Sequence, residues 1–156
     1  MKHLNALLVL CLIVMCTHTS SAQILTNQRT QVQTNNKSQL FRNNSQRVPA
    51  KVNELDKAFS AVEGSLIKLH FKNFDFEGTI TSSLKRYDNL YSVVIKSSSL
   101  DNTIFSLSKR INEDKTITYV GRMINENYAD GYELIEAEEG GYFLNKIKTD
   151  VLLQDY

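Results

Sequence analysis

Apolar and polar residues alternate from Ile67 onward: Ile67, Leu69 and Phe71 share one phase, and Lys68, His70 and Lys72 share the other. A period of two is that of a strand with one buried and one wet face, and it puts His70 on the wet face. Segments of similar pattern, rich in β-branched and aromatic residues, follow at 76–82, 90–96, 103–108, 116–124, 132–136 and 142–147. Turn formers separate them, including Tyr87-Asp88-Asn89, Asp101-Asn102, Asn112-Glu113-Asp114, Ala129-Asp130-Gly131 and Glu138-Glu139-Gly140-Gly141. Short strands at this spacing predict a mainly β fold, an antiparallel meander closed as a small sandwich or barrel.

Before Gly64 the period is helical. Val52, Leu55, Phe59 and Val62 recur every three or four residues, so one short helix is expected, with Asn53 as its N-cap and Gly64 as its stop. Its apolar stripe is expected to lie on the sheet. Upstream, residues 23–50 are rich in Gln and Asn and hold few large apolar groups, which predicts a disordered leader ended by Pro49. The domain plan is therefore 1–22, 23–50 and 51–156. Asn36-Lys37-Ser38 and Asn43-Asn44-Ser45 fit the N-glycosylation acceptor pattern.

Residues 1–22 read as a cleavable export signal: Lys2, an uncharged apolar run from Leu7 to Met15, then Ser20-Ser21-Ala22. Cleavage is expected between Ala22 and Gln23. The apolar run falls short of the roughly 20 residues that cross a bilayer, and Met15 is too large to precede a lipid-acceptor Cys16. An exported, periplasmic or surface location without a stable membrane anchor follows.

Removal of the signal changes the chemistry. Both cysteines, Cys11 and Cys16, leave with it, as do His3 and His18, so His70 is the only histidine of the 134-residue remainder. A zinc site of His and Cys needs three or four ligands, which this chain lacks, and no metal or other cofactor is expected. No G-x-S-x-G elbow surrounds a serine, and the six glycines have neither phosphate-loop nor dinucleotide-loop spacing. A partner other than nucleic acid, and no enzyme, is the expectation. Charge divides sharply: residues 23–52 carry five basic and no acidic side chains, whereas 53–156 carry 12 basic and 17 acidic, giving +5 and −5.

Tyr91, Tyr119 and Tyr142 fit strand alternation and are expected in the core. Tyr87 and Tyr128 flank turn residues and are the candidate binding aromatics. The acidic run Glu133, Glu136, Glu138 and Glu139 lacks the alternating register of a calcium loop and reads as a solvated hairpin tip. Eight Asp and nine Glu permit many carboxylate pairs, so a small hydrolase using one such pair is a third reading.

The segments Phe76-Glu77-Gly78-Thr79-Ile80, Ser92-Val93-Val94-Ile95, Asn102-Thr103-Ile104-Phe105, Ile117-Thr118-Tyr119-Val120-Gly121-Arg122 and Asp130-Gly131-Tyr132-Glu133-Leu134 resemble the β-rich pro-regions of secreted bacterial metalloproteases. The resemblance covers about residues 66–150, without the catalytic domain that carries H-E-x-x-H in that family. It implies a non-enzymatic domain that binds another secreted or surface protein, such as a protease. The alternative is carbohydrate or lipid recognition at a cell surface through the basic leader and the turn tyrosines.

Overall fold

The alternating segments pair as consecutive antiparallel hairpins. The computed structural model describes residues 37–149. Among them lie β1 (Arg47–Ala50), α1 (Val52–Ser60), β2 (Leu66–Phe71), β3 (Phe74–Tyr87), β4 (Leu90–Ser97), β5 (Ile104–Ile111), β6 (Ile117–Ile124), β7 (Asp130–Glu136) and β8 (Tyr142–Lys148). All eight strands belong to one sheet in the order β1-β8-β7-β6-β5-β4-β3-β2. The expected meander is present, as one sheet curled into a half-barrel rather than two stacked layers.

The curl is visible in the aromatic contacts. Phe74 on β3 stacks on Tyr132 of β7 with ring centroids 5.8 Å apart, although three strands lie between them in the sheet. A flat sheet would hold those strands about 19 Å apart. Phe41 meets Tyr132 edge-on at 4.9 Å, and Phe71 and Phe76 both approach Phe105. Helix α1 connects β1 on one edge with β2 on the other and adds Leu55 and Ala58 to the same core. Two register shifts in β3, between Ile80 and Ser82 and between Lys85 and Tyr87, mark bulges of the kind that sharpen strand twist.

Three expectations need correction. The leader expected to be disordered through residue 50 is ordered over its described part, 37–50, and the strand β1 lies within it. Phe41 is fully buried, and Asp130, itself buried, accepts the main-chain N–H groups of Leu40 at 2.7 Å and Phe41 at 3.0 Å. Lys146 Nζ donates to the carbonyls of Phe41 and Asn44, both at 2.6 Å, and Tyr132 donates to that of Ser45 at 2.7 Å. Composition averaged over the tract hid four residues, Leu40, Phe41, Val48 and Ala50, whose burial offsets the ordering entropy.

The helix ends earlier than expected and begins differently. Lys51 occupies the N-cap position with no side-chain cap, and Asn53 lies inside the first turn. Val62 falls beyond the helix, and the buried stripe is Glu54, Leu55 and Ala58 instead. Gly64 does not stop the helix either, since the helix ends at Ser60 with Ala61 as its C-cap; Gly64 instead sits in the turn before β2, in a left-handed conformation with φ +85°.

Both sheet edges are blunted. In β1, Gln46 accepts from Lys146 N, so the alternate residues Arg47 and Pro49 face outward, and Pro49 has no N–H to offer. In β2 the register with β3 turns Leu66, Lys68 and His70 outward, and the His70 N–H donates to Glu54 of α1 at 2.9 Å. A proline on one edge and a central lysine plus a helix carboxylate on the other discourage edge-to-edge pairing.

Candidate binding surface

Aromatic side chains and the buried residues of α1 fill the concave side. Among the described residues, the most exposed large apolar side chains are Leu66, at 82% of its accessible area, and Val62, at 72%. They flank a tight connection between α1 and β2. Ser65 donates from its main-chain N–H and from its hydroxyl to the Val62 carbonyl, at 3.1 Å and 2.6 Å, and Gly64 N donates to the Ile80 carbonyl at 2.8 Å. Local sequence chemistry thus fixes two aliphatic groups on a short turn braced to β3.

Beside them lies a wide, shallow groove, open to solvent along its length and about 610 Å³ in volume, between α1 and the β2 edge, lined by Asn53, Asp56, Lys57, Ala61, Leu66 and Lys68 among others. Two carboxylates hold its helical wall in place. Glu54 accepts from the His70 main-chain N–H and, at 2.6 Å, from Lys57. The His70 N–H first, and Lys57 second, keep its carboxyl below the ordinary range despite burial. Asp56 accepts from Lys109 Nζ and Tyr119 OH at one oxygen, each at 2.6 Å. Burial alone would push Asp56 up, yet those two donors together hold it low. Tyr119 is pushed up, by burial first and by its bond to Asp56 second. Helix α1 is therefore pinned to β2 by Glu54 and to β5 and β6 by Asp56.

The two candidate tyrosines lie far from each other along the strands. Tyr87 is 70% exposed at the tip of the β3–β4 hairpin, where Asn89 meets Ile111. Tyr128 lies in the β6–β7 loop at the opposite strand ends, half-buried, and its hydroxyl donates to Asp101 at 3.1 Å. They do not form one site. Tyr119 and Tyr142 are buried and Tyr91 half-buried, as their alternation predicts.

His70 stands on the wet face, its Nδ1 2.8 Å from Asp75 Oδ1. Asp75 also pairs with Lys68 at 3.0 Å, and Lys68 with Glu77 at 2.7 Å, which makes a cross-strand charge ladder on β2 and β3. Lys68 foremost, then His70, keeps the Asp75 carboxyl low. These side chains are exposed on open strands, not gathered in a cleft. Glu133 is taken up by Arg122, at 2.8 Å and 2.9 Å, while Glu136, Glu138 and Glu139 surround a shallow depression at the β7–β8 turn. Among the described residues, no group of three or more His, Cys, Asp or Glu is placed to hold a metal ion, and no helix is long and apolar enough to cross a membrane. The cleavage pair Ala22 and Gln23 lies outside the described residues.

Sequence reasoning passed over Leu66, although its signal was present. Leu66 shares the phase of Lys68 and His70, so it is an apolar residue on a polar face. The Asp56, Lys109 and Tyr119 cluster had no comparable signal, because its members are 53 and 63 residues apart in the chain. No family profile, curated protein or solved structure matches the chain.

Proposed function

We propose that this chain is an exported, non-enzymatic domain that binds another exported or surface protein through the groove between α1 and β2. The observation that carries this is Leu66, the most exposed large apolar side chain among the described residues, which lines that shallow groove with exposed Val62 nearby in the same turn. Apolar anchors of this kind, bordered by charged groups such as Lys57 and Lys68, are what a partner's surface buries at the centre of an interface. The likeness to metalloprotease pro-regions makes a secreted protease the first class of partner to try. Affinity purification from the producing organism's secreted fraction, with the wild-type protein and Leu66→Asp in parallel, tests it. A protein retained by the wild type and lost from Leu66→Asp is expected. The same proteins recovered with both baits, or none above background, contradicts it.

A further inference from the structure

A second surface has different chemistry. Where β4 turns into β5 and β6 passes into β7, a groove of about 450 Å³ opens over two aliphatic side chains, Ile104, which is 40% exposed, and Ile124. They are cross-strand partners on β5 and β6, next to Lys96 of β4. Asn102, Glu126 and Asn127 complete the polar rim.

The two loops that carry this rim are cross-braced. Asp101 and Asn102 both have positive φ, 47° and 61°, in a tight turn closed by Thr103 N donating to the Leu100 carbonyl at 2.9 Å. The buried Asn125 donates to the Asp101 carbonyl at 2.6 Å and to Thr103 Oγ1 at 3.3 Å, and accepts from Asn127 N at 2.9 Å. Tyr128 ties the β6–β7 loop to the Asp101 carboxylate. One buried amide and one tyrosine thus set the spacing of the rim before any ligand arrives.

The rim itself is unused. Among the described residues, the side chains of Lys96, Asn102, Glu126 and Asn127 make no hydrogen bond or ion pair with protein groups. They offer amine and amide donors together with amide and carboxylate acceptors, around an aliphatic floor. A sugar ring has this complementary form: hydroxyls that both donate and accept along its edge, and C–H groups on its face. Lys96 and Lys37, whose Nζ donates to the Glu126 carbonyl at 2.7 Å, balance Asp101 and Glu126, so no excess positive charge selects phosphate or a uronate. The volume lies within the range of small-ligand sites.

We propose that the groove over Ile104 and Ile124 binds a neutral saccharide unit, held by Lys96, Asn102, Glu126 and Asn127. The site is separate from the groove beside α1 and does not depend on protein binding there. Backbone amide shifts of the nitrogen-labelled protein, titrated with galactose, N-acetylglucosamine and a β-linked glucose disaccharide up to tens of millimolar, test it. Saturable shifts at residues 96, 101–104 and 124–127 are expected with at least one sugar. They should weaken by roughly tenfold or more in Lys96→Ala/Asn127→Ala, whose spectrum elsewhere is unchanged, and persist in Leu66→Asp. No saturable shift with any of the sugars, or equal affinity in the double variant, overturns the proposal. So does perturbation of these amides by phosphatidylglycerol vesicles alone.

Discussion

The carboxylate of Glu54 accepts the main-chain N–H of His70 at 2.9 Å, so a side chain of α1 occupies a hydrogen-bonding position of the outermost strand. Removing that acceptor leaves an edge N–H without its partner and Lys57 without its ion pair. Glu54→Ala is expected to cost about 1–3 kcal/mol of unfolding free energy. Urea denaturation checks it, and Glu54→Gln, which keeps an acceptor oxygen, should recover part of the loss.

Acid should loosen the same helix. Glu54 and Asp56 both have carboxyls held below their ordinary values of 4.5 and 3.8, so the unfolded chain takes up protons first as pH falls. Their contribution to stability is then complete above about pH 4.5 and is lost as pH drops through and below that range. Asp75, Asp88 and Asp114 shift in the same direction at exposed sites. A Glu54→Gln/Asp56→Asn variant isolates the helix: its thermal midpoint should fall less than that of the wild type between pH 5 and 3, as read by circular dichroism.

Phe41→Ala should cost about 3–5 kcal/mol, because the ring is buried against Phe74 and Tyr132. Hydrogen exchange should then rise at Leu40 and Phe41, whose N–H groups Asp130 otherwise holds. Unchanged stability would return residues 37–46 to the role of a free leader.

Gly131 lies where an added Cβ would collide with the Met123 carbonyl of the neighbouring strand. Gly131→Ala is therefore expected to destabilise by about 1–3 kcal/mol in a denaturant titration. Gly140, which has open space around it, has no such clash.

Strand positions were legible because alternation reports burial directly. Leu69, Phe71, Tyr119 and Tyr142 are all buried, on the phase that the pattern assigns. Strand β1 was not legible: four residues containing Pro49 and Arg47 carry too short a pattern, and only pairing with β8 makes them a strand. Likewise Val62 fits a helical stripe by spacing alone, and the chain leaves the helix at Ser60 before reaching it. Of the candidate surfaces, the exposure of Tyr87 and the wet-face placement of His70 followed from local context. The brace between Asn125 and Asp101 required the fold.

Photo-crosslinking from two positions decides whether the α1 and β2 groove is the contact surface. With a photoreactive residue at Leu66 or at Tyr87, in the presence of the secreted fraction, a covalent protein adduct should form from position 66 and not from 87. An adduct from 87 alone, or from neither position, would contradict protein binding through that groove.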